Sequence, residues 1–164
     1  MTIRIAEPHE ARALAALINA AFVVEAFFKI GDRTSAEEVA ALMADGGEFL
    51  VLQGSGTGAG TGAGTGTLMG CVYLKYSGDR CYLGMLSIDP PRQRQGLGLR
   101  MVDAAEARAR ARGCRFMDMH IVNVREELPP YYRRLGYADS GTLPFSDCDQ
   151  ASRPCFFIVM SKRL

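Results

Sequence analysis

The stretch from Met85 to Ala105, MLSIDPPRQRQGLGLRMVDAA, most constrains how this 164-residue chain can fold. An apolar segment ends at Asp89-Pro90-Pro91, a polar loop follows, and Leu97 begins a helical pattern of apolar residues. The predicted order is therefore strand, glycine-containing loop and helix. Backbone N–H groups in such a loop and in the first helical turn have no partner within the helix, so they can bind an anion. Gly96 and Gly98 carry no Cβ atom, which lets a phosphate group approach the backbone.

The spacing of the polar and glycine residues in this loop resembles a known motif. Gln93-x-x-Gly96-x-Gly98, preceded by Ile88-x-Pro90, is similar to the coenzyme A pyrophosphate loop of the GNAT acetyltransferase superfamily. A strand-to-helix turn that uses glycine only for its geometry is the alternative for the loop alone. The resemblance implies acetyl-CoA as cosubstrate, with its pyrophosphate bound by the loop. The implied cofactor-binding residues here are Gln93, Arg94, Gln95, Gly96, Leu97, Gly98 and Leu99.

A second motif follows the strand predicted over residues 114–122. Tyr132-x-x-Leu135-Gly136-Tyr137 looks like the tyrosine signature that GNAT enzymes carry after their fifth strand. The resemblance implies that Tyr132 is the catalytic acid that protonates the leaving thiolate. It also implies a cofactor-binding role for Asn123, although Asn123 and Tyr132 stand two residues further apart than is usual in the family. An unperturbed phenol has a pKa of about 10, so it keeps its proton at neutral pH.

The resemblance assigns a further role to the strand that precedes the glycine loop. The pantetheine arm of the donor would pair with this strand like an added strand. A backbone N–H in the segment Leu86, Ser87 and Ile88 would polarise the thioester carbonyl. No metal is expected, because Asp118 and His120 have no evident third ligand.

The acceptor side of the reaction carries weaker signals. The segment Phe22–Arg33 is either the end of a helix with its aromatic residues in the core or, by the resemblance, part of the acceptor pocket. In the second case Glu25 faces the amine as a catalytic residue, and the general base is open among Glu25, Asp89 and a water chain. Asp118 and His120 share one strand face because they lie two residues apart. Exposure at a sheet edge is favoured for this pair over a place near an active site.

The apolar patterns along the chain predict the element order β-α-α-β-β-β-α-β-α-β. The strand, helix and strand around the glycine loop imply a right-handed crossover and a parallel pair within a mostly antiparallel mixed sheet. Residues 138–145 are predicted to be an irregular loop. This mixed α/β order is similar to the GNAT arrangement over almost the whole chain, so a single acetyltransferase domain over residues 1–164 is expected.

Residues 54–66 are almost entirely glycine, threonine and alanine, with Thr57-Gly58-Ala59-Gly60 directly repeated. The repeat formally fits a relaxed dinucleotide-binding fingerprint. The next segment reads as a strand rather than a helix, however, and no acidic residue follows in a βαβ frame. The stretch is therefore predicted to be a flexible hairpin loop without chemistry, and a nucleotide-dependent oxidoreductase is disfavoured.

Composition limits the class of protein and its partners. A net charge of +1 provides no field that would attract nucleic acid. No apolar run approaches the roughly 20 residues of a membrane span, and the first residues lack a signal peptide's apolar core. The five cysteines form no C-x-x-C pair, which favours free thiols in a cytoplasmic protein. We expect no nucleic acid or membrane partner, and a homodimer is left open.

Taken together, the two motifs imply an acetyl-CoA-dependent N-acetyltransferase. Acetyl would pass directly to an amine acceptor, either a small molecule or a peptide, whose identity the sequence does not give. A covalent cysteine route is disfavoured because no cysteine is paired with a histidine by motif. The alternative is a module of the same fold that binds a CoA ester as a sensor without turnover.

Overall fold

The structure is a computed structural model that describes residues 1–54, 66–145 and 151–164. The strands are β1 (Thr2–Ile5), β2 (Glu48–Gln53), β3 (Leu68–Ser77), β4 (Arg80–Ile88), β5 (Phe116–Val122), β6 (Ala138–Pro144) and β7 (Phe156–Arg163). The helices are α1 (Ala11–Phe22), α2 (Ala36–Ala44), α3 (Leu97–Ala111) and α4 (Leu128–Arg134). Residues 55–65 lie outside the described part, and with them the flexible loop predicted at 54–66.

The strands form one sheet in the order β1-β2-β3-β4-β5-β7-β6. Neighbouring strands are antiparallel except for β4 and β5, which are parallel and are joined through α3. The mixed α/β fold and its parallel βαβ pair, predicted from the sequence, are confirmed. The crossover between them covers one face of the sheet with its helix.

Each face of the sheet has its own core. On one face, Leu97, Met101 and Ala105 of α3 are buried against β3, β4 and β5. On the other face, α1 contributes Leu14 and Ile18 to a second cluster with residues of α2, β2 and β3. Leu14 and Ile18 lie four residues apart, so they share the face of α1 that is buried.

One predicted element is wrong. Residues 138–144 were expected in an irregular loop, but Ala138–Pro144 is the edge strand β6, which pairs antiparallel with β7. All its residues are exposed, so the strand lacks the alternation of apolar and polar residues by which half-buried strands are detected. The ladder also shifts register between Asp139 and Gly141, which further obscures the pattern.

The parallel pair opens into a cleft. Residues Arg80–Tyr82 of β4 pair with residues Phe116–Asp118 of β5. Beyond these residues the two described strands continue without pairing to each other. A bulge lies at the same point of β4. Gly84 pairs with Tyr73 and Ser87 with Cys71, so Met85 and Leu86 together oppose a single residue of β3.

The bulge has strained backbone geometry. Met85 has a φ of 50°, a value that residues other than glycine rarely adopt. Bulges and strained residues of this kind are over-represented next to active sites, where they redirect the backbone. The cleft between β4 and β5 is therefore a candidate site.

Candidate active site

A cavity of about 380 Å³ fills the cleft between β4 and β5. Its lining comes from both strands, from the 3₁₀ turn that follows α1 (Val23–Phe27), from the loop before α3, and from α4. The lining residues include Glu25, Tyr82, Leu86, Ile88, Gln93, Gly98, His120, Arg125 and Tyr132. Regions that the sequence analysis singled out separately are thus brought to one cavity.

The loop before α3 has backbone donors available for an anion. The amide of Gln93 donates to the carbonyl oxygen of Pro90 at 3.3 Å. The amides of residues 94–99 make no hydrogen bond to any other described residue. They precede and begin a 15-residue helix, whose N-terminus favours negative charge.

The two glycines of this loop have different structural roles. Gly96 caps the helix in the left-handed region with a φ of 77°, a conformation that costs other residues energy. Gly98 is helical, and a Cβ atom built on it would meet no atom within 4 Å. Gly98 therefore leaves open space on the cavity side of the helix, as the approach of a phosphate requires.

Side chains around the loop fix its position. Gln93 donates from Nε2 to the carbonyl oxygen of Ile88 at 3.1 Å, which ties the loop to the end of β4. Arg92 pairs with Asp89 at 3.4 Å. Asp89, one candidate for the general base, is not among the residues that line the cavity.

Tyr132 is buried at the cavity wall. It lies on α4, is only 6% exposed, and stacks edge-on between Tyr131 and Tyr137. Its hydroxyl makes no hydrogen bond to a described residue, and burial raises the pKa of the phenol to about 12. The phenol therefore keeps its proton across the neutral range and is available as a donor.

Glu25 lies on the other side of the cavity, in the 3₁₀ turn after α1. Its carboxylate accepts a hydrogen bond from Arg125 Nη1 at 3.2 Å, and both side chains are largely buried. Burial raises the pKa of Glu25, while the charges of Arg33, Arg125 and Lys29 oppose that rise. Phe28 is fully buried in a small core cluster, as the core interpretation of the segment 22–33 expects. Glu25 lines the cavity, and its role toward an acceptor amine stays a prediction.

The placement predicted for Asp118 and His120 is wrong. They do not lie at a sheet edge, because β5 has β4 on one side and β7 on the other. Asp118 accepts two hydrogen bonds from Arg80, at 2.6 Å each, whereas His120 lines the cavity. The sequence did contain a signal for this site, since ligands of α/β sheets bind at the carboxyl ends of parallel strands.

The cavity meets both faces of the sheet. Met119 and Ile121 belong to the core on the α3 face, which also contains Tyr132. His120 alternates with them along β5 and therefore faces the opposite side, where Tyr82 packs against the core under α1. The glycine loop and Tyr132 thus lie on one side of the cleft, with Tyr82 and His120 on the other.

Comparison with known proteins identifies the family. A sequence model of the acetyltransferase (GNAT) family matches residues 24–137, which include the loop, both cleft strands and Tyr132. The chain belongs to the GNAT acetyltransferase family. A sequence search of curated proteins finds no match to the chain.

Solved structures of other acetyltransferases share the fold of this GNAT family member. A candidate phosphinothricin N-acetyltransferase is 16% identical, with a TM-score of 0.75 over 99% of this chain and 98% of that one. The ribosomal-protein-alanine N-acetyltransferase of Brucella melitensis is 20% identical, with a TM-score of 0.72 over 100% of both chains. A candidate acetyltransferase from Salmonella typhimurium, solved with acetyl-CoA, is 21% identical, with a TM-score of 0.70 over 100% of this chain and 94% of that one.

Asn123 is placed less favourably for binding a ligand. Its Oδ1 accepts a hydrogen bond from the amide of Phe156 at 2.9 Å, and its own amide donates to the carbonyl oxygen of Phe156. These bonds fasten the end of β5 to β7, and Asn123 is not among the cavity-lining residues. Its role in cofactor binding stays a prediction.

Two further observations concern the described part of the chain. It contains no group of three or more histidine, cysteine, aspartate or glutamate side chains that would hold a metal ion. None of its helices is long and apolar enough to cross a membrane.

Proposed function

We propose that this GNAT family member transfers acetyl from acetyl-CoA directly to an amine. The observation that carries the proposal is the single cavity that joins the glycine loop and Tyr132 on one side to Glu25 on the other. Membership of the family and the fold shared with a structure that contains acetyl-CoA support the choice of donor.

The donor would bind along the loop and β4. The amides of residues 94–99 have no other partner in the described chain and would hydrogen-bond the pyrophosphate. Leu86 lies in the bulge of β4 and lines the cavity, so its N–H is our candidate for the donor that stabilises the oxyanion of the thioester. Pantetheine would lie beside the strand segment 86–88, in the gap left where β4 and β5 stop pairing.

The proposed reaction breaks the C–S bond of the thioester and forms a C–N bond to the acceptor. The neutral amine nitrogen attacks the carbonyl carbon, a C–N bond forms, and the C–S bond breaks with its electrons going to sulfur. The nitrogen releases one proton to water, the sulfur gains one from the Tyr132 hydroxyl, and water returns a proton to the Tyr132 phenolate. Alignment of the two reactants supplies much of the rate enhancement, and proton transfer by a positioned group adds typically about 10²–10⁴-fold.

The acceptor would enter from the side of the cavity that Glu25 lines. We propose a small-molecule or peptide amine, and the carboxylate of Glu25 would attract its ammonium form before the proton is lost. Arg125 holds that carboxylate in place through its 3.2 Å hydrogen bond. The structural relatives act on chemically different acceptors by their names, so the family does not decide between a small molecule and a peptide.

A thiol-release assay tests the proposal. The protein is incubated with acetyl-CoA and a panel of amines that includes free amino acids, aminoglycosides, polyamines and peptides, and free thiol is measured against reactions without an amine. We expect release that depends on the amine, together with one mole of acetylated amine per mole of thiol. Tight binding of acetyl-CoA without release for any amine would instead support the CoA-ester sensor.

A further inference from the structure

We infer that His120 is the residue that accepts the proton from the acceptor amine. This inference rests on the proposed acetyl transfer and names a catalytic residue for it. Neither motif of the sequence includes His120.

His120 lies at the point where the parallel strands separate. The last pair between β4 and β5 joins Tyr82 to Asp118, and His120 is the next residue of β5 on the same face. It lines the cavity together with Tyr82 and Glu25, opposite the side that carries Tyr132. An amine held there can reach an acyl group in the cleft while the leaving sulfur stays on the Tyr132 side.

The imidazole ring is held by aromatic contacts rather than by hydrogen bonds. Its centroid lies 4.9 Å from that of Tyr82 and 5.7 Å from that of Phe157. No hydrogen bond joins the ring to a residue in the described ranges 1–54, 66–145 and 151–164. The ring nitrogens of His120 are therefore available to a ligand, and the aromatic neighbours restrict the ring's orientation.

The burial of His120 favours the neutral ring that a base requires. Burial lowers the pKa of His120 below its usual 6.5, and Asp118 on the same strand opposes this effect. Arg80 pairs with Asp118, and its positive charge weakens the effect of the Asp118 carboxylate on the pKa of His120. The other ionisable groups that line the cavity near the 3₁₀ turn and β5 are Glu25, Lys29, Arg33, Tyr82 and Arg125.

The other candidate bases are less suitable. Burial raises the pKa of Glu25, but its carboxylate already accepts a hydrogen bond from Arg125, which stabilises the charged form and opposes protonation. Asp89 lies outside the cavity lining and pairs with Arg92. A proton on the bound ammonium would therefore pass to an imidazole nitrogen of His120, which frees the nitrogen lone pair for attack. After the attack the nitrogen releases its second proton to water, and Tyr132 gives its proton to the sulfur. Exchange of protons with water then returns the imidazolium to imidazole and the phenolate to phenol.

The test compares His120→Gln with the parent in the thiol-release assay, with an amine the parent acetylates. His9→Gln is the matched control, because His9 is the only other histidine of the chain, is mostly exposed, and pairs with Glu7 at the surface. We expect kcat of His120→Gln to fall about 100-fold or more near neutral pH, while the Kd of acetyl-CoA and the activity of His9→Gln stay at the parent's values.

The pH profile separates catalysis from a structural role. Without a base, the bound ammonium loses its proton to solvent, so kcat of His120→Gln should rise about tenfold per pH unit and approach the parent's value as the amine deprotonates. A parent that is inactive with every amine overturns the proposed transfer and this inference together. An active parent whose variant has an equal kcat, or a deficit that does not change with pH, overturns the inference alone.

Discussion

At the scale of single residues, burial sets the chemistry of the proposed acid. Burial raises the pKa of Tyr132 to about 12 and outweighs the charge of Arg125, which acts in the opposite direction. The shift favours the protonated phenol, which is the form that donates a hydrogen to a departing thiolate. The proposed catalytic residues thus lie in environments that hold each in its required protonation state, Tyr132 protonated and His120 neutral.

The substitution Tyr132→Phe removes only the hydroxyl. We expect kcat to fall about 10²-fold or more, because the thiolate then leaves without a proton, while the Kd of acetyl-CoA changes little. Tyr73→Phe is the control, since Tyr73 is also a buried phenol but does not line the cavity. Steady-state kinetics and calorimetric titration measure the two quantities, and equal rates in Tyr132→Phe and the parent would remove the acid role.

The same pKa gives a prediction for the alkaline side of the pH profile. A raised pKa means that the donor is present below that value and is lost only as pH rises through about 12. The kcat of the parent should therefore not decline up to about pH 11, as far as the protein remains folded. A fall in kcat centred near pH 9, with the fold intact by circular dichroism, would show that a different group supplies the proton.

At the scale of elements, the two glycines at the junction of the loop and α3 have different roles. Gly96 is needed for the backbone, because its φ of 77° is unfavourable for other residues. The packing around Gly98 does not require glycine, because a Cβ atom there has open space around it, and we propose that this space is left for the ligand. Substitutions at the two positions should therefore affect different properties of the protein.

Alanine at each position separates these roles. Gly96→Ala should lower the free energy of unfolding by about 1–2 kcal/mol. Gly98→Ala should raise it by about 0.5–1 kcal/mol, as expected for alanine in a helix, yet weaken acetyl-CoA binding. Chemical denaturation and calorimetric titration measure these changes. If Gly98→Ala bound acetyl-CoA as tightly as the parent, the assignment of the open space beside Gly98 to the donor would be wrong.

Elements with periodic or motif signals could be predicted from the sequence, and the others could not. The parallel pair around the glycine loop was predicted because a strand, a helix and a strand follow each other within residues 80–122. The edge strand β6 was missed because all its residues are exposed. The site of His120 was missed because its role depends on where β4 and β5 stop pairing, which is a property of the register and not of either strand's sequence.

At the scale of the whole molecule, a buried ion network joins α3 to the far half of the sheet. Glu106 of α3 is 4% exposed and accepts hydrogen bonds from Lys162 of β7, at 2.8 and 2.9 Å, and from the hydroxyl of Tyr137. Since α3 also packs against β3 and β4, these bonds connect the strands on both sides of the cleft. The cleft is thus held open between two halves that are fixed to a common helix.

The substitution Glu106→Gln tests the contribution of this network. We expect the free energy of unfolding to fall by about 1–3 kcal/mol, because Lys162 loses its buried counter-charge. Asp45→Asn is the control, since the Asp45–Lys75 pair is exposed and should contribute little. Denaturation curves of the parent and of the two variants measure the free energy of unfolding. If Glu106→Gln lowered it no more than Asp45→Asn does, the network would not stabilise the fold.

The binding of a diphosphate by the amides of residues 94–99 is the most direct test of the whole account. Amide ¹H–¹⁵N spectra of the protein are recorded during titration with coenzyme A and, separately, with pantetheine, which lacks the pyrophosphate. The amides of residues 94–99 should shift on saturation with coenzyme A and stay in place with pantetheine. If they stay in place on saturation with coenzyme A, the loop does not bind the donor, and the account is contradicted.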